Sequence, residues 1–242
     1  MENFLEKIKE LQIVTVGVIL AVAILFSVKI VSKSLSQNVI TVTGSAYEIV
    51  KSDSGVLEFE IVTNAPTKAQ GYKELQKDLG IVKNYLEKKK ITSIEAKTIN
   101  GYSNFKRNAN GIETSEIESY HLSQNVKIQS NNVELIKEIS TDISSLVNEG
   151  VDMNVYPANY SYSKLGDLKV KLLEKASTDA KNRATSMLKP THNRVGRIQS
   201  VRMGVYQITP VDSTDVSDNG ISDTSTIDKK VTAVATVAFK IK

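Results

Sequence analysis

The hydrophobic and polar positions of the chain follow three kinds of pattern. From Leu11 to Val28 there is no charged side chain and no polar face. Beyond Asn38, apolar residues alternate with polar ones at period two, the signature of half-buried strands. This holds for Val39–Val50 and for Val56–Val62, where Leu57, Phe59 and Ile61 share one face and Glu58 and Glu60 the other. It recurs around Ala96–Phe105, through Tyr120, Leu122, Val126 and Ile128, and along Tyr156, Ala158, Tyr160 and Tyr162, where Pro157 points to a sheet edge. Two further strands are expected at Arg197–Ile208 and Val231–Ile241, the last with Val231, Ala233, Ala235, Val237, Phe239 and Ile241 on one face.

Between the strands the apolar spacing changes to three and four, which predicts helices. Asn64-Ala65-Pro66-Thr67 reads as a helix start with Pro in the first turn, followed by the stripe Tyr72, Leu75, Leu79, Val82 and Leu86. Gly71 and Gly80 each weaken that helix by roughly 1 kcal/mol relative to Ala. A second helix starts near Asn131 or Asn132, carries Ile136, Ile139, Ile143 and Leu146, and closes at Gly150. The third runs from Leu165 to Leu188 and stops before Pro190, with Leu168, Leu172, Ala176, Ala180 and Ala184 on its inner face. Asn110-Gly111 signals a hairpin between the third and fourth strands. The predicted order is ββαββαβαββ: an α+β body with a mixed sheet and three helices on one face.

The first segment changes the picture most. Leu11–Val28 would make about 27 Å of helix, close to the roughly 30 Å of a bilayer core. The exit SVKIVSKSLSQ lacks an A-x-A cleavage pattern, so the segment reads as an uncleaved signal anchor rather than a signal that is removed. The expected organisation is a short cytoplasmic head at 1–10, a transmembrane anchor at 11–31, a connector at 32–38 and a domain at 39–242 with a mobile Asp/Ser-rich loop at 210–228. The lipid bilayer is then a partner, and the body faces the extracytoplasmic side. Lys7 and Lys9 before the span nearly balance Lys29 and Lys33 after it, so orientation follows usual topology rather than charge. Gly17 with Ala21, and Ala23 with Ser27, are small-xxx-small pairs of the kind that lets helices pack closely in lipid.

Composition excludes several chemistries. The chain has 242 residues, no cysteine and a net charge of +4. Disulfides, thiolate metal sites and cysteine nucleophiles are ruled out. Lysines are scattered over predicted helices, and Lys88-Lys89-Lys90 ends one, so no nucleic-acid footprint is expected. His121 and His192 have no second ligand at metal spacing in their own segments. No G-x-S-x-G elbow, Walker loop or dinucleotide fingerprint occurs. Asp215–Thr226 can be laid on a calcium-loop template, but Ser217 at its third position and Thr226 at its twelfth are wrong for it. No catalytic residue, cofactor or metal is therefore expected.

The body resembles the SIMPL-domain family. The stretches that carry the resemblance are ITVTGSAYEIVKSDSGVLEFEIVT, YHLSQNVKIQSNNVELIKEISTDISSLVNEGVDMN and SKLGDLKVKLLEKASTDAKNRATSMLKPTHNRVGRIQSV. Gly44 fits the family's strand–Gly–strand opening, and Ala176, Ala180 and Ala184 fit its Ala-x-x-x-Ala helix. Lys51-Ser52-Asp53 keeps the Asp of a Pro-Asp pair and lacks the Pro. The resemblance implies an envelope protein that assembles into rings or hollow cages, with some relatives linked to stress tolerance and no catalytic residues to transfer. The expectation is thus a non-enzymatic, membrane-anchored homo-oligomer. Its candidate assembly or binding surface is Tyr156, Tyr160, Tyr162, Ala176, Ala180 and Ala184. The alternative is a monomeric or dimeric binding module that takes a peptide, glycan or protein partner on the tyrosine strand and the Asp-rich loop.

Overall fold

The computed structural model describes residues 15–29 and 38–242. The first helix, α1, is helical over 15–29, and every one of these residues is exposed. Among the described residues no helix is long and apolar enough to cross a membrane. The expected transmembrane anchor at 11–31 and the single-pass membrane location built on it are corrected accordingly. The ends of that segment, 11–14 and 30–31, lie outside the described residues, as do the expected head at 1–10 and connector positions 32–37.

The body is α+β, in the order β1 (Val39–Lys51), β2 (Ser54–Ala65), α2 (Lys68–Lys88), β3 (Ile94–Arg107), β4 (Glu113–Ser130), α3 (Val133–Asp142), β5 (Met153–Val155), β6 (Asn159–Ser161), α4 (Leu165–Leu188), β7 (Val195–Met203), β8 (Gln207–Pro210), β9 (Ile221–Ser222) and β10 (Asp228–Ile241). The strands form two five-stranded sheets rather than one mixed sheet. Alternation along a strand shows which face is buried. It does not show which strands share a sheet.

Two compact units divide the chain. The larger is Ala46–Lys175 with Gly204–Val234. Its antiparallel sheet has the order β3-β4-β2-β5, with β6 also pairing β2. Helices α2 and α3 both lie against β2 and β4. The core between them holds Leu57, Phe59 and Ile61 of β2, Leu75, Val82 and Leu86 of α2, Val126 and Ile128 of β4, and Ile136 and Ile139 of α3. All ten are fully buried, and each is worth about 1.5–3 kcal/mol relative to exposure. A second cluster gathers Leu168, Leu172, Ile208, Val231 and Ala233.

Local chemistry accounts for the ends of these elements. Thr67 caps α2, its hydroxyl accepting the Gln70 N–H at 3.2 Å, so Pro66 sits just outside the helix rather than in its first turn. Gly71 is where α2 approaches the sheet: a Cβ there would lie 2.5 Å from Leu122 Cδ1. Asn132 caps α3 by accepting the Leu135 N–H at 3.2 Å. Beyond Asp142 that helix tightens into a 3-10 segment, Ile143–Glu149, and Gly150 ends it in the left-handed conformation at φ 88°. Of the strand expected over Tyr156–Tyr162 only β6 forms, and Pro157 lies in the break between it and the preceding β5, which meets β2 at a different place.

The smaller unit is Met1–Ser45 with Ala176–Met203 and Ala235–Lys242. Here β7 pairs antiparallel with the end of β10, from Ala235 opposite Met203 to Ile241 opposite Val195. The strand expected over Arg197–Ile208 is interrupted at Gly204, so β8 pairs separately with Lys229–Thr232 in the larger unit. Ala176, Ala180 and Ala184 are fully buried. Their reason is Gly44, which lies inside β1 and not in a turn. A Cβ on Gly44 would fall 2.2 Å from the Ala176 carbonyl oxygen and 2.3 Å from the Ala180 nitrogen. Helix backbone thus rests directly on strand backbone. Asp179, one turn along, accepts the Ser45 N–H at 2.9 Å and pairs with Arg183 at 2.7 Å.

Candidate assembly surface

The β3–β4 hairpin is the longest feature with uncovered faces. Asn108 organises its turn: its side-chain oxygen accepts the N–H groups of Asn110 and Ile112, both at 3.0 Å, and Gly111 takes φ 77°. From Phe105 through Glu118 nearly every side chain on both faces is exposed, among them Phe105, Ile112 and Ile117. Two cross-strand ion pairs, Lys106–Glu116 at 3.1 Å and Arg107–Glu113 at 3.5 Å, lie in solvent. Such pairs contribute little to stability. Among the described residues β3 pairs only with β4, so its outer edge is a row of open backbone groups.

Nearer the core, Tyr102 stacks on His121 with ring centroids 4.7 Å apart, and His121 Nδ1 lies 3.1 Å from the Asn64 side-chain oxygen. Lys68 sits over the Tyr120 ring at 5.5 Å. These groups satisfy one another around a small concavity of about 150 Å³.

The residues singled out from sequence are dispersed. Gly17, Ala21, Ala23 and Ser27 all lie on α1, where the Ser27 hydroxyl donates to the Ala23 carbonyl at 2.8 Å. Ala176, Ala180 and Ala184 are spent inside the chain's own packing and present nothing outward. Of the tyrosines, Tyr156 is exposed, Tyr162 packs on the Leu168 cluster, and Tyr160 is buried. Tyr160 and the Asp-rich segment do meet. They line a hollow of about 480 Å³ with Lys137, Asp212, Ser225, Thr226 and Asp228. Burial raises the pKa of the Tyr160 phenol.

The segment expected as a loop at 210–228 contains β9, parallel to β8. It is organised around Asp223, which sequence reasoning passed over. That carboxylate accepts the N–H groups of Ser225 and Thr226 and both their hydroxyls, and it pairs with Lys229 at 3.2 Å. Burial pushes its pKa up, but the bonds from Ser225, Thr226 and Lys229 outweigh this and hold it well below the usual carboxylate range. Its oxygens are committed to neighbouring groups of the chain. Among the described residues no three His, Asp or Glu side chains gather as a metal centre requires. The one sequence signal was the Asp-x-Ser-Thr run at 223–226, a local turn pattern.

Asp53, the retained half of the Pro-Asp pair, is similarly structural. It accepts the Ser163 N–H at 2.8 Å and the Ser163 hydroxyl at 2.6 Å.

No curated protein matches the chain. A family model does: SIMPL, described as a protein of unknown function (DUF541), matches residues 40–239. That range spans more than half of the chain and all of the larger unit, and the chain belongs to the SIMPL family.

Proposed function

We propose that this SIMPL-family chain is a non-catalytic building block that associates with copies of itself into a ring- or cage-like homo-oligomer, with a stress-related role as the family resemblance suggests. The observation that carries the reading is the β3–β4 hairpin. An isolated two-stranded ribbon is marginal in water, yet this one extends beyond its covering helices with Phe105, Ile112 and Ile117 exposed. A neighbouring copy would bury those side chains and satisfy the open edge of β3 at once. The test is light scattering of the purified protein at micromolar concentration. The parent is expected to be a large oligomer. Replacing 106–116 by an Asn-Gly turn, or introducing I112S/I117S, is expected to reduce it to small species with unchanged circular dichroism of the helices. A monomeric parent would defeat the reading.

The hollow around Tyr160 supports a second reading, a monomeric or dimeric binding module for a peptide, glycan or partner protein. It joins a phenol, an ammonium and two carboxylates from segments far apart in sequence. Under this reading Y160F and K137A abolish retention of an immobilised peptide or glycan panel and leave particle size unaltered.

A further inference from the structure

The two units carry opposite charge. In Ala176–Met203 and Ala235–Lys242 there are eight Lys and Arg residues and one acidic residue, Asp179. The larger unit holds nineteen Lys and Arg against twenty-three Asp and Glu. The overall +4 therefore conceals a strongly basic small unit and an acidic large one.

The basic charge has a shaped focus. Lys181 on α4, Lys189 in the 3-10 turn that follows, His192 at the cap of that turn and Arg194 just before β7 line a hollow of about 580 Å³. None of the four forms an ion pair among the described residues. His192 is held at φ 62°, with its N–H bonded to the Lys189 carbonyl at 3.2 Å, which turns the chain sharply around the hollow's rim. Val195 supplies an apolar wall.

A complementary feature exists on the acidic unit. The tip Asp215-Val216-Ser217-Asp218 displays both carboxylates and a valine that is 82% exposed, the most exposed large apolar side chain among the described residues. The tip is fixed in place. Gln207, buried in β8, donates its amide to the Ser217 carbonyl at 2.7 Å and accepts the Ser217 N–H at 3.4 Å, and Gly220 N–H bonds the same carbonyl at 3.0 Å. A buried side chain committed to holding an exposed valine between two aspartates is preorganisation for docking, since the ordering cost is met before association.

We infer that the Asp215–Asp218 tip of one copy seats in the Lys181, Lys189, His192 and Arg194 hollow of the next. The valine lies against Val195, and the two carboxylates face the cationic rim. The contact is heterologous: each copy offers a tip and a hollow, so it propagates from copy to copy. The inference rests on the self-assembly reading and gives that assembly a direction. Charge steers the encounter, and the fixed tip sets its register.

Charge reversal in the full chain tests it. D215K/D218K alone and K189E/R194E alone are each expected to weaken association by about tenfold or more in sedimentation velocity at low salt. Mixed in equal amounts, the two variants are expected to assemble again, because each reversed surface then meets its opposite. The absence of cysteine permits a second readout that does not depend on charge. Chains carrying V216C mixed with chains carrying N193C should form a covalent pair on mild oxidation. If the parent assembles but both reversed variants do so equally well, or the cysteine pair fails to cross-link, this contact is overturned while self-assembly stands. A monomeric parent instead overturns the assembly reading itself. If inorganic polyphosphate binds at the hollow and assembly ignores K189E/R194E, the hollow is a polyanion site and not an interface.

Discussion

The two units reach compactness by opposite means. The larger one fills the space between sheet and helices with Leu, Ile and Phe side chains, and most of its core is fully buried. The smaller one brings backbone onto backbone, with Gly44 under Ala176 and Ala180. A core of large side chains loses stability when volume is removed. A core of close-approaching backbones loses it when volume is added. The same residue type therefore has opposite meaning in the two units. Glycine is obligatory in β1, whereas Gly80 in α2 has nothing within 4 Å of where a Cβ would sit.

Substitutions sharpen this contrast. The largest effect is expected in the larger unit: Phe59→Ala, at a fully buried position, should cost about 4 kcal/mol in urea unfolding. Asp223→Ala should cost about 3 kcal/mol, because it strands Lys229, whose side chain is only 4% exposed. This second loss should be mimicked by acid. A carboxyl whose folded pKa is depressed contributes fully above its unfolded pKa of about 3.9 and loses that contribution as pH falls through the folded value. The difference in melting temperature between the parent and Asp223→Ala should therefore shrink on acidification below pH ~4 and stay constant above it.

Gly44→Ala should cost about 2–3 kcal/mol in the smaller unit, read by thermal melting and by faster amide exchange along α4. An unchanged melting temperature would mean that helix and strand are not in backbone contact. The smallest change has the opposite sign. Gly80→Ala should stabilise by about 0.5–1 kcal/mol, because it removes helix-breaking entropy without meeting any atom. If Gly44→Ala and Gly80→Ala shift stability equally, the proposed difference between the two units fails.

The sequence made some of this contrast legible. The Ala176, Ala180 and Ala184 spacing announced a close approach, and the Leu57, Phe59 and Ile61 alternation announced a bulky core. What the alanines approach was not legible, because Gly44 lies more than 130 positions away and its role exists only once β1 is under α4. For the same reason the alanines, placed on an inner face by their spacing, also stood as a candidate assembly surface. A small-residue stripe looks alike whether it meets a partner or the chain's own strand. The tyrosine row failed differently. Period-two alternation was carried through Pro157, but the ring and missing N–H break the ladder there and separate Tyr156 from Tyr160. The apolar N-terminal segment invited a span because hydropathy counts residues, but among the described residues no helix is long and apolar enough to cross a membrane.

Local properties were determined by the sequence alone: strand and helix periodicities, the turn at Asn110-Gly111, the stop at Gly150, the absence of thiol chemistry and the family pattern. These depend on neighbours a few residues apart, and short-range sterics and hydrogen bonding decide them. The division into two sheets, the burial of Asp223 against Lys229, the uncovered hairpin and the opposite charge of the two units were decided only by tertiary structure. Each depends on which distant segments share a surface, and a linear pattern of apolar and polar residues does not encode that pairing.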